Sequence, residues 1–146
     1  MIVTYPNPIL KTKCIKIQKS FDVALYLAPI MFEQMYAAGG IGLTANQIGS
    51  PIQLIVLNPT GDQSQKDQEL IIVNPTITWK SRKKTRKLEG CLSIPGVRKF
   101  KIRPSRIEVK YQDLNKKEHV LEADGLLARV ILHEADHMLG RLMIDD

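Results

Sequence analysis

No stretch of the chain approaches the ~18 consecutive apolar residues that a membrane-spanning helix needs, so neither a span nor a membrane partner is expected. Cysteine is scarce. Cys14 and Cys91 stand far apart and form no CxxC pair, which excludes a zinc ribbon, a thioredoxin-type motif and a disulfide scaffold. Residues 1–10 hold two prolines and no apolar signal-peptide core, so a reducing, cytoplasmic location is expected. Internal repeats and linkers are absent, and the 146 residues read as a single domain over 1–146.

Hydrophobic residues make up 44% and charged residues 25%, an ordinary globular balance that supports a core without staples. The net charge of +6 is uneven. Residues 80–106 carry eleven Lys and Arg against one acid, Glu89, a local +10 that leaves −4 elsewhere. This segment reads as a solvated basic loop. The sharper alternative is a patch facing RNA or a ribosome. Only Trp79 accompanies the basic run 80–87, so a base-stacking platform and a specific nucleic-acid partner are not expected.

Apolar residues at 23, 24, 27, 30, 31 and 35 predict a helix over 22–38, bent at Pro29 and closed by Gly39-Gly40. Residues 52–57 and 70–73 read as strands that stop at Asn58-Pro59 and Asn74-Pro75. Residues 77–80, 106–112 and 119–123 read as further strands, and 61–68 as a loop. A second helix is predicted over 125–139, closed by Gly140. Without long βαβ alternation the class is α+β with largely antiparallel strands.

Chemistry concentrates in His133-Glu134-Ala135-Asp136-His137. On a helix, positions i and i+4 share a face, so both imidazoles can reach one metal ion with Glu134 beside them. The preceding Leu126, Leu127, Val130, Ile131 and Leu132 make this a buried helix, where such polar residues need partners or a metal. A catalytic metal site generally has three protein ligands and a position left for water. Cys91, in Glu89-Gly90-Cys91-Leu92-Ser93, is the obvious third. Cys14 reads as an inert buried thiol, and His119 lies in an exposed hairpin with no role. The glycine-rich Gly40-Ile41-Gly42-Leu43-Thr44-Ala45-Asn46-Gln47 lets backbone approach a ligand, but it fits neither a dinucleotide fingerprint nor a P-loop.

Taken together, these three segments resemble the ordered motifs GxGLAAxQ, EGCLS and HExDH of the peptide deformylases. Tyr5-Pro6-Asn7-Pro8-Ile9-Leu10 and residues 121–128 extend the resemblance over nearly the whole chain, and Ile94-Pro95-Gly96 after EGCLS is similar to the type 1 branch. The resemblance implies antiparallel β-sheets packed around a metal-bearing HExxH helix, with an N-terminal helix. It implies removal of the formyl group from the N-terminal formyl-methionine of nascent polypeptides, with release of formate. One divalent ion is implied, ferrous iron natively, with nickel, cobalt or zinc able to replace it. Cys91, His133 and His137 would be its ligands and Glu134 the general base. Gln47 and the backbone N–H of Leu92 would stabilise the oxyanion. Ile41, Gly42, Gly90, Arg129 and Val130 would border the substrate, and Glu89, Arg103 and Asp136 would support the ligands, Asp136 pairing with Arg103.

The chain departs from the family pattern at Thr44, where Ala is usual, and at Lys87 and Arg129, where apolar residues commonly border the methionine pocket. These two cations are expected to snorkel to solvent over pocket-lining stems. The sharper alternative is selectivity for an acidic first residue. Leu132 and Met138 read as packing changes. The sequence stops nine residues after His137, short of a C-terminal helix with which many relatives dock on ribosomes, so ribosome association is not expected unless the basic segment replaces that helix. The competing readings are another HExxH metallohydrolase, against which Cys91 argues, and a weakly active homologue serving as a binding protein.

Overall fold

In the computed structural model of the protein, described over residues 1–145, the chain forms two α-helices, three short 3-10 helices and seven strands. In chain order the α-helices and strands are α1 (Asp22–Ala37), β1 (Gly42–Thr44), β2 (Leu54–Leu57), β3 (Leu70–Lys80), β4 (Lys84–Cys91), β5 (Ile94–Pro104), β6 (Arg106–Gln112), β7 (Glu118–Asp124) and α2 (Gly125–Met138). One sheet has the order β1-β2-β3-β6-β7 and is antiparallel throughout, while β4 and β5 form a separate antiparallel ribbon.

All four residues of β2 are buried, which requires cover on both faces of the sheet. Successive side chains of a strand point to opposite faces. Ile55 and Leu57 accordingly join a core with Ile72, Val109 and Ile131, on the α2 side. Leu54 and Val56 join a second core with Ala28, Met31 and Met35, on the α1 side. Towards the other edge one face opens to water. In β6, Ile107, Val109 and Tyr111 are buried while Lys110 between them is exposed. The α2 helix therefore lies against the sheet on one side and against the ribbon on the other.

The helix ends follow sequence signals. Pro29 sits inside α1 without ending it, and the helix stops just before Gly39. Gly140, at φ +74°, follows the end of α2, where glycine is the usual left-handed residue. A Cβ there would collide with the backbone of Lys11. No helix among the described residues is long and apolar enough to cross a membrane.

Two expectations need correction. The strand expected to stop at Asn74-Pro75 continues: residues 70–73 and 77–80 belong to one strand, β3, with a register shift between Val73 and Thr76. Asn74 takes a left-handed φ of 52°, and its amide binds the backbone of Ile17 through a donor at 2.8 Å and an acceptor at 2.9 Å. A bulge also tolerates Pro75, which has no N–H to offer the ladder. The second correction concerns the basic segment, which is not a loop but the ribbon β4–β5. Its outer face exposes Arg86, Leu88, Phe100 and Ile102, with the Arg86 guanidinium 3.9 Å from the Phe100 ring centre. Its inner face presents Glu89 and Arg103, both buried. A strand with charge on its buried face and apolar residues on its outer face inverts the alternation by which strands are read.

Candidate active site

The ribbon and α2 meet where β4 ends. This brings Cys91 from the ribbon to His133 and His137, one helical turn apart on α2. Their ligand atoms all lie within 4.8 Å of one another. Cys91 Sγ is 3.2 Å from His137 Nε2, and the two imidazole centres are 5.0 Å apart. The sequence-predicted ligands are thus together, and all three are types that bind divalent first-row metals.

Behind His133 lies a buried ionic network. His133 Nδ1 is 2.9 Å from Glu89 Oε1, so an N–H there donates to the carboxylate and leaves Nε2 for a metal. Arg103 grips Glu89 with both Nε and Nη2, and its Nη1 donates to Asp136 Oδ2 at 2.9 Å. The pairing expected between Asp136 and Arg103 is present. A second arginine joins them. Arg129 Nη1 donates to Glu89 Oε2 at 2.6 Å and to the carbonyl of Lys101 at 3.1 Å, while Nη2 donates to the carbonyl of Thr85 at 2.8 Å. Arg129 therefore does not snorkel to solvent; its guanidinium turns inward and ties α2 to both strands of the ribbon. Burial would raise the pKa of Glu89, but hydrogen bonds and charge from Arg103 and His133 prevail and hold its carboxyl far below the ordinary value.

Glu134 has a contrasting setting. It is 4% exposed, and burial raises its pKa, with only partial relief from the charge on His133 and a hydrogen bond from Thr44. Gly42 is packed against it: a Cβ on Gly42 would lie 2.8 Å from Glu134 Oε2 and 2.8 Å from Val130 Cγ1. The glycine is required for this close approach of β1 to α2.

The histidines differ too. Burial lowers the pKa of His137 to about 3, keeping the imidazole neutral as a ligand must be. Burial also disfavours charge on His133, yet its bonds to Cys91 and Glu89 outweigh this and raise it to about 10. The carboxyl groups of Glu89 and Glu134 beside this point favour a cation there. With the thiol and two imidazoles already convergent, the donor set fits a divalent metal ion.

A cleft of about 710 Å³ opens over this centre, lined by Cys91, His133 and Glu134. Ile41, Gly42, Gly90, Leu92 and Val130 border it, as does Arg129. Gln47 lines it as well; its Oε1 accepts from Thr44 N–H at 2.9 Å and its Nε2 donates to Ser93 Oγ at 3.0 Å. Lys87 is exposed and lies outside the lining. Cys14 is buried and does not line the cleft, and burial pushes its thiol up to about 11. His119 lies 2.7 Å from Asp113, remote from the centre.

Sequence reasoning missed several participants. Asn46 donates to the His137 carbonyl at 2.8 Å, and Thr44 bonds Glu134; both stand inside the glycine-rich segment already singled out. Ser93, which receives the Gln47 amide, closes the EGCLS motif. Thr85 carries no signal that would have revealed its role.

The whole chain, residues 1–146, matches the polypeptide deformylase family. A peptide deformylase of Bartonella tribocorum is 44% identical over 146 residues, covering 99% of this chain and 82% of the relative. Among solved structures, peptide deformylase from Plasmodium falciparum superposes with a TM-score of 0.95 at 36% identity, over 99% of this chain and 84% of that one. A probable peptide deformylase from Synechococcus phage S-SSM7 superposes at 0.91 with 35% identity, over 99% and 97% of the two chains. The α+β architecture read from the sequence is the one these structures share. The chain belongs to the peptide deformylase family, enzymes that remove the N-terminal formyl group from nascent polypeptides.

Proposed function

We propose that this chain is a metal-dependent deformylase that hydrolyses the formyl amide of formyl-methionyl nascent peptides in the cytoplasm and releases formate. The observation that most supports this is the convergence of Cys91, His133 and His137 within 4.8 Å beside a buried carboxylate on a cleft. These three residues would hold one divalent ion, ferrous iron by family resemblance, with nickel, cobalt or zinc suited to the same donors. When bound, the ion supplies Lewis acidity to the formyl carbonyl and to the attacking water.

The other steps belong to the protein. Glu134 takes a proton from the water as its oxygen bonds to the formyl carbon, then passes it to the amine nitrogen as the C–N bond breaks. Gln47 Nε2 and the Leu92 N–H donate to the formyl oxygen as it gains negative charge, each worth about 3 kcal/mol of barrier. Ile41, Gly42 and Gly90 border the substrate backbone, while Val130 and the Arg129 stem border its first side chain. Glu89 holds His133, and Arg103 with Asp136 holds Glu89 and the helix. Selection of an acidic first residue is not favoured: the Arg129 cation is spent on Glu89, and Lys87 stands outside the cleft.

The test is formate release from a formyl-methionyl tripeptide by protein reconstituted anaerobically with ferrous iron or nickel. Robust turnover that disappears on chelation is expected. Stoichiometric metal with no turnover contradicts the proposal.

A further inference from the structure

The two oxygens of the Glu134 carboxylate are not equivalent. Thr44 Oγ1 lies 2.9 Å from Oε1 and 3.1 Å from the Glu134 backbone carbonyl. A hydroxyl has one proton to give, and the carboxylate is the nearer acceptor and the stronger one. Oε1 is thereby held against Thr44. Oε2 accepts no hydrogen bond among the described residues, and it is not one of the sealed-off polar atoms, so it opens on the cleft that Glu134 lines. The space it stands in exists because Gly42 has no side chain.

Thr44 is itself fixed. It is fully buried, its N–H donates to Gln47 Oε1 at 2.9 Å, and it pairs with Ile55 of β2. No arginine, lysine or histidine makes a hydrogen bond or ion pair with Glu134 among the described residues. Among the described residues the Thr44 hydroxyl is the one hydrogen bond on the Glu134 carboxylate, and so the one directed restraint on its last torsion, which is intrinsically broad and two-fold.

We propose that Thr44 is a positioning residue for deformylation. It pins Oε1 so that Oε2 faces the cleft and is the oxygen that exchanges the proton with water and the leaving amine. This rests on the reading of Glu134 as general base. It adds a specific device to that reading, a hydroxyl delivered by the glycine-rich segment to the base on α2. Thr44 touches neither substrate nor the reacting atoms. Its effect should therefore appear in the rate of the bound complex and not in binding.

The experiment compares Thr44→Val, which keeps the shape and removes the hydroxyl, with Thr44→Ser, which keeps the hydroxyl. Both are prepared as the metal-loaded enzyme and assayed on a formyl-methionyl tripeptide. Metal stoichiometry, Tm and crystal structures of both variants are determined alongside. Thr44→Val is expected to lower kcat about 10–100-fold, the scale of a small misplacement at a reacting group, with KM and metal content unchanged. Thr44→Ser is expected to restore most of the rate. In the crystals the Glu134 carboxylate should be rotated in the Val variant and unmoved in the Ser variant. Wild-type kcat in Thr44→Val would overturn the proposal, as would equal losses in Val and Ser, or a loss in Val explained by missing metal.

Glu134→Gln separates this proposal from the reading beneath it. If Glu134→Gln is inactive while Thr44→Val is wild type, the Thr44 proposal fails alone. If Glu134→Gln retains turnover, the assignment of the base fails and the Thr44 proposal with it.

Discussion

Glu89 and Glu134 are buried carboxylates beside one pair of histidines, and their surroundings shift them in opposite directions. Glu89 receives two arginines and the Nδ1 side of His133, and its pKa is driven down. Glu134 receives one neutral hydroxyl, and its pKa is driven up. A carboxylate saturated with cations has no capacity left to accept a proton and serves as an anchor. One that is buried and lightly solvated is poised to take a proton up and give it back. The two motifs supply both kinds of group within a few residues of the proposed metal ligands, and only the partners distinguish them.

Removing the metal should have the largest effect, since both carboxylates are arranged around its ligands. Chelation is expected to abolish formate release and to make Cys91 open to iodoacetamide, with Cys14, buried and held as a thiol, unmodified. Mass mapping of the alkylated peptides checks this.

Next in size is the loss of the anchor. Glu89→Ala leaves Arg103 and Arg129 buried without their shared anion and should destabilise the protein by about 3–5 kcal/mol in urea unfolding. Arg129→Met should cost less, about 1–3 kcal/mol, because Arg103 stays on Glu89 while the Thr85 and Lys101 carbonyls lose a donor.

The smallest effect, and the sharpest for the comparison, is in pH dependence. Below the ordinary value of 4.5 the unfolded state binds more protons at Glu89 than the folded state does. The stability Glu89 contributes is therefore complete above 4.5 and is lost as pH falls toward its depressed folded value. At Glu134 the sign reverses. Above 4.5 the folded state holds the proton more tightly, so stability falls as pH rises through the raised folded value. Urea midpoints of the metal-free protein across pH should lose the decline below 4.5 in Glu89→Gln and the decline above 4.5 in Glu134→Gln.

The parts legible in the sequence were those written in apolar periodicity or in a motif. Helix α2, the β6–β7 hairpin and the convergence of Cys91, His133 and His137 fall in that group: alternating Ile107, Val109 and Tyr111 mark a half-buried strand, and the His133–His137 spacing marks one helix face. The ribbon was not legible because its buried face carries charge and its solvent face carries Leu88, Phe100 and Ile102. The fate of Arg129 was hidden for the same reason. Its acceptors are the Thr85 and Lys101 carbonyls, which become neighbours only once the ribbon exists, and Glu89 on that ribbon's buried face. Solvent was the expected destination for a long cation; a prepared anion and two backbone carbonyls claimed it instead.

The most direct measurement is metal content, unfolding midpoint and formate release for Glu134→Gln and Glu89→Gln, side by side. The predicted result is a crossed pattern. Glu134→Gln should keep its metal and lose no stability while turnover drops about 10²–10⁴-fold. Glu89→Gln should lose stability and bind metal about 10–100-fold more weakly, through the released His133. Near-wild-type turnover in Glu134→Gln, or unaltered metal affinity and stability in Glu89→Gln, would contradict the division of labour between the two carboxylates.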